Sequence, residues 1–131
     1  MIDKILEFKH MCQLEGEIGR SCGLSPREIR CVTVTAQKGP LSSKELSRLI
    51  ELSPSRGSRV IGRMVDKGLI QMIQSDQDRR SVKLSLSDKG QECFKQIEKD
   101  KAACEARLLA SLTDEELKMV NESLNLLIKA L

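Results

Sequence analysis

Apolar residues follow two different periods along the chain, and the change between them marks the elements. Up to about residue 68, and again beyond residue 87, they recur at spacings of three and four, the helical period. Residues 2–20 read as a helix with Ile5, Phe8, Cys12 and Ile18 near one face, although Gly16 and Gly19 weaken it. Ser25-Pro26-Arg27-Glu28 predicts a capped start: Ser caps, Pro takes the first helical position and Glu closes a capping box. The helix it opens carries Ile29, Val32, Val34 and Ala36 and stops at Lys38-Gly39-Pro40. Ser42-Ser43-Lys44-Glu45 is a second box, opening a short helix with Leu46, Leu49 and Ile50. Ser53-Pro54 opens another, which runs to Lys67 and stops at Gly68.

Between residues 69 and 86 the period becomes two. The stretch LIQMIQ (69–74), a polar tip SDQDRRS (75–81) and VKLSL (82–86) predict a β-hairpin, with Val82, Leu84 and Leu86 alternating against Lys83 and Ser85. Ser87 then begins a long helix to about residue 110, with Phe94, Ile97, Cys104 and Leu108 as apolar positions. Thr113-Asp114-Glu115-Glu116 is a third capping box, and the last helix carries Leu117, Val120, Leu124, Leu127 and Leu131. The expected fold is mainly α with a small β-hairpin. Two closely spaced helices followed by a hairpin make a winged helix-turn-helix, here about residues 24–90, flanked by helices over about 2–20 and 88–131. A length of 131 residues suits a single domain.

Charge sharpens this picture. Net charge is only +3, but residues 41–90 hold ten Lys/Arg against six Asp/Glu, whereas residues 91–131 hold six against eight. A basic excess over the helix-turn-helix and hairpin is the electrostatic footprint of a polyanion partner. Aromatic content of 2%, with no Trp or Tyr, disfavours single strands bound by base stacking. No apolar run is long enough to span a membrane and the start lacks a signal-peptide core, so a cytoplasmic protein is expected. The five cysteines, none spaced as CxxC, argue against a disulfide framework. One His, no Ser/His/Asp set and no phosphate-binding glycine loop argue against an enzyme, and nothing implies a cofactor or metal.

The stretch DRRSVKLSLSDKG (78–90) resembles the wing-to-helix signature D-x-R-[AS]-x-x-x-x-L-[TS]-x-K-G of the multiple-antibiotic-resistance regulator (MarR) family of bacterial transcription factors. Residues 39–70, GPLSSKELSRLIELSPSRGSRVIGRMVDKGLI, resemble its helix-turn-helix, and LTDEELKMVNESLNLLIKAL (112–131) its terminal dimerisation helix. Gly57 stands where the family usually has an apolar residue. The resemblance implies a homodimeric regulator of palindromic double-stranded DNA. It would most simply be a repressor released by a small-molecule effector or by thiol oxidation. It also implies that Arg80 is the wing arginine that contacts DNA, with Asp78 as its structural companion.

The residues themselves suggest the remaining roles. Arg56, Arg59 and Arg63 are spaced three and four apart, so they share a face of the candidate recognition helix, and Arg can bond guanine edges in a major groove. Ser53, Ser55 and Ser58 lie near its start, while Ser42, Ser43 and Lys44 open the helix before it, where free N–H groups suit phosphate. Arg79 at the hairpin tip is a phosphate candidate, and Arg80 a candidate for the negative minor groove. Ile5, Phe8, Leu117, Val120, Leu124, Leu127 and Leu131 are expected at a two-fold interface. Cys12, in the first helix, is the candidate redox sensor, since some family members sense oxidants there. The alternative reading is a winged helix that binds proteins rather than specific DNA.

Overall fold

Capping chemistry sets most helix starts, and it does so where the sequence predicts. The computed structural model describes residues 1–74 and 81–131. Its elements are α1 (Ile2–Met11), α2 (Leu14–Glu17), a 3₁₀ turn (Arg20–Cys22), α3 (Pro26–Lys38), α4 (Ser43–Leu49), α5 (Pro54–Asp66), β1 (Ile70–Gln74), β2 (Val82–Leu86), α6 (Asp88–Ser111) and α7 (Asp114–Ala130). Ser25, Ser42 and Thr113 each complete a capping box with the Glu three residues on. Each box satisfies two backbone N–H groups that have no partner inside the helix.

The expected helix over residues 2–20 is corrected. It ends at Met11, where Cys12 turns extended with ψ 113, and the chain resumes in two short pieces. Gly19 and Gly23 bracket the 3₁₀ turn in the left-handed region, with φ 74 and φ 65. Glycine adopts that conformation at little steric cost, so the chain reverses here instead of continuing as a helix.

The chain divides into two compact units, residues 1–100 and 101–131. In the first, α3, α4, α5 and the hairpin enclose one core. Leu46 and Met64 are completely buried there, with Val32, Val60, Ile61, Leu84 and Ile97 around them. The hairpin is antiparallel, with Ile70 opposite Leu86 and Met72 opposite Leu84. A third short segment joins it: Leu41, just before α4, forms a bridge with Leu84, each N–H donating to the other's carbonyl at 3.0 and 2.7 Å. The hairpin base is thereby tied to the start of the helix-turn-helix. The second unit holds the end of α6 and α7, and α7 buries none of its residues. No helix among the described residues is long and apolar enough to cross a membrane.

Candidate nucleic-acid interface

Helix α5 divides its residues between core and solvent. Val60, Ile61 and Met64 are buried, whereas Ser53, Ser55, Arg56, Ser58, Arg59 and Arg63 are exposed. The 3.6-residue period produces this division, because Arg56, Arg59 and Arg63 form one stripe along the helix and Gly57, Val60, Ile61 and Met64 the adjoining buried one. Ser53 caps the helix by accepting from the Arg56 N–H at 3.4 Å, and its hydroxyl lies 3.4 Å from that of Ser55. Two of the three expected serines therefore sit together at the helix start.

The preceding helix meets α5 closely, and the contact is made by glycine. A Cβ on Gly57 would overlap the Cβ and Oγ of Ser47 and lie 3.1 Å from its Cα. Ser47 is buried, and its hydroxyl donates to the Ser43 carbonyl at 2.8 Å. The departure at Gly57 therefore has a packing cause: two backbones approach where a side chain would hold them apart. Ser42 is half-buried and accepts from the Glu45 N–H at 3.1 Å, while Ser43 and Lys44 are exposed at the same end. The Ser42 backbone N–H first, then the charge of Lys83, holds the Glu45 carboxyl below its usual range. Asp78, Arg79 and Arg80 lie outside the described residues.

Two polar connections that sequence reasoning missed fix α5 at its far end. Glu28, the capping-box residue of α3, is buried and accepts from Ser25 N–H at 3.1 Å and from Lys67 Nζ at 2.9 Å. Burial pushes its carboxyl up, but hydrogen bonds from Lys67 and Ser25 and the Lys67 charge outweigh it, leaving a net depression. The second connection joins α5 to α6. Ser87 Oγ donates to the Gly68 carbonyl and accepts from the Gly90 N–H, and Lys89 Nζ donates to the Lys67 carbonyl at 3.0 Å. A Cβ on Gly90 would collide with the Leu69 carbonyl oxygen. The S-D-K-G run thus has a steric and hydrogen-bonding reason: it seats the start of α6 on the exit from α5.

Of the residues expected at an interface, Ile5 and Phe8 on α1, Val120, Leu124 and Leu127 on α7 and Leu131 just past its end are exposed, and Leu117 is half-buried. Cys12 is partly exposed, just beyond α1. Among the described residues no group of three or more His, Cys, Asp or Glu is arranged to hold a metal.

A short helix, a second helix with an exposed arginine face and a hairpin bridged to the first define a winged helix-turn-helix protein. Residues 23–81 match the MarR family. The chain is 30% identical over 95 residues to the HTH-type transcriptional repressor MdtR of Bacillus subtilis (strain 168), a match covering 72% of this chain and 61% of that protein. The chain thus spans less than two thirds of that relative. The crystal structure of the YusO protein from Bacillus subtilis shares 27% identity and a TM-score of 0.75 over 100% of this chain and 96% of that one. Streptococcus pneumoniae FabT in complex with DNA shares the fold, with a TM-score of 0.74 and 21% identity over 81% of this chain and 74% of that chain. The chain belongs to the MarR family.

Proposed function

We propose that the protein is a sequence-specific regulator of transcription that binds palindromic double-stranded DNA as a homodimer, most simply as a repressor. The exposed row of Arg56, Arg59 and Arg63 on a helix whose other face is sealed in the core carries this reading. A helix of these dimensions enters a major groove, and the rigid attachment of α5 to α3 and α6 would hold its register there. Ser53, Ser55 and Ser58 flank the arginines, and Ser43 and Lys44, exposed at the start of α4, are proposed phosphate contacts, with Ser42 capping α4. Arg80 is proposed for the minor groove, Arg79 for phosphate and Asp78 to brace Arg80. The repressor name of MdtR and the DNA in the FabT structure support the same reading.

The exposed apolar side chains of α7, and separately those of α1, supply a surface for the second protomer. An isolated chain would otherwise leave Leu124, Leu127 and Leu131 in water. Release by a small-molecule effector, or by oxidation at Cys12, completes the proposed cycle.

Fluorescence anisotropy of the reduced protein on duplex DNA from upstream of its own gene tests this. Tight binding that survives unrelated competitor and weakens steeply with salt is expected, because phosphate contacts release counterions. Binding no tighter than to competitor, repeated on duplexes selected from a random pool, would overturn the reading in favour of a protein-binding winged helix.

A further inference from the structure

Cys22 and Cys93 are 71 residues apart in sequence and adjacent in the fold. Cys22 Sγ donates to the Cys93 carbonyl at 3.8 Å. Cys22 is partly exposed and Cys93 buried. Both line an open cleft of about 440 Å³, with Lys89, Glu92 and Gln96 among its other walls.

The arrangement is braced independently of the sulfurs. Cys93, Ile97 and Asp100 recur at four and three residues, so one face of α6 meets the 3₁₀ turn. Asp100 accepts from the Gly19 N–H at 2.9 Å, and Gln96 donates to the other Asp100 oxygen at 2.9 Å. A Cβ on Gly19 would overlap Ile29, so the glycine lets the turn sit close against its neighbours. The backbone that carries Cys22 is thus pinned to the helix that carries Cys93.

We propose that Cys22 and Cys93 form a dithiol–disulfide pair that is oxidised by low-molecular-weight disulfides entering this cleft. Cys22 thiolate attacks one sulfur of the incoming disulfide; a new S–S bond forms and one thiolate leaves, taking a proton from solvent. Cys93 gives up its proton and attacks Cys22 Sγ, and the second thiolate departs and is protonated. Two protein thiols are oxidised, and one small disulfide is reduced to two thiols. The division of labour follows exposure: Cys22 meets the reagent and Cys93 resolves. Burial, and then the neighbouring Cys22 thiol, push the Cys93 thiol up to about 12, so little of it is thiolate and resolution is the slow step.

The test uses the full chain, reduced and folded, with oxidised glutathione as the probe. After acid quenching and unfolding, thiols are capped with maleimide and the protein is mapped by mass spectrometry. The oxidised protein should carry two fewer maleimides than the five taken by the reduced protein, with a Cys22–Cys93 linked peptide. Cys93→Ala should stop at one glutathione on Cys22, and Cys12→Ser should still form the link. The proposal fails if all five thiols stay free, if the link joins other cysteines, or if it appears only in urea. The wild-type map decides the matter even if Cys93→Ala does not fold. None of these readouts depends on DNA binding.

Discussion

Gly57 on α5 sits directly against Ser47 on α4, with no room for a Cβ between them. The contact sets the separation of the two helices of the helix-turn-helix. It also explains why a residue of poor helix propensity stands inside α5.

Gly57→Ala should therefore destabilise the protein although alanine favours helix. Overpacking costs about 1–3 kcal/mol, against about 1 kcal/mol gained in helix propensity. A Cβ on Gly62, in the same helix, would meet nothing within 4 Å. Gly62→Ala should therefore stabilise by roughly 0.5–1 kcal/mol. Urea denaturation of both variants checks the pair, and equal shifts would show that Ser47 yields freely.

Glu28→Gln should cost about 1–2 kcal/mol at neutral pH, since it replaces a charged hydrogen-bond acceptor for Lys67. The pH dependence has a definite sign. The carboxyl lies below its ordinary value of 4.5 in the folded protein, so its contribution is present above that value and is lost as pH falls through the folded pKa. The gap between wild type and Glu28→Gln, followed by thermal denaturation, should close on acidification. A gap constant from neutral to strongly acid pH would remove the charge from the account.

Glu51, in the turn between α4 and α5, is the single non-glycine residue with positive φ among the described residues, at 59. The left-handed conformation costs an L-residue with a Cβ roughly 1–2 kcal/mol. Glu51→Gly should raise stability by about 1 kcal/mol, less some loss to the freer unfolded chain. Glu51→Val should lower it. Unfolding midpoints that move together would contradict this.

Arg59→Ala should weaken binding to the cognate duplex by about 1–3 kcal/mol if the side chain reads a base. If it meets phosphate instead, affinity should fall evenly on all duplexes, with the log–log salt slope shallower by about 1. Anisotropy at several salt concentrations separates these. Unchanged affinity on every duplex would remove Arg59 from the interface. Thermal denaturation should be unaffected, since the side chain is exposed.

Leu124→Asp should convert the proposed dimer to monomer in sedimentation velocity. The residue is exposed in the single chain, so the substitution costs little there and much in a buried two-fold contact. A variant that stays dimeric would move the interface away from this part of α7.

Legibility in the sequence followed the range of each interaction. The capping boxes at Ser25, Ser42 and Thr113 span three residues, and the arginine row of α5 spans two turns, so both could be read directly. The first helix ends earlier than its apolar spacing implies, because that spacing carries across Cys12, while the left-handed Gly19 is fixed by contacts to Ile29 in the next long helix and to Asp100, 81 residues away. Leu41 gave no strand signal, because a single bridge to Leu84 has no periodicity of its own. The serines of the candidate site were legible as caps, but the burial of Ser47 depends on Gly57 in the next helix.

By itself the sequence determined the order of elements, their capped starts and the basic face of α5, because each depends on residues within a turn or two of one another. Tertiary structure decided which polar and small groups meet. Glu28 finds Lys67 across 39 residues, Ser87 finds Gly68 across 19, and Cys22 finds Cys93 across 71. Core packing brings these partners together, and no local period encodes a contact made only when separate elements share a core.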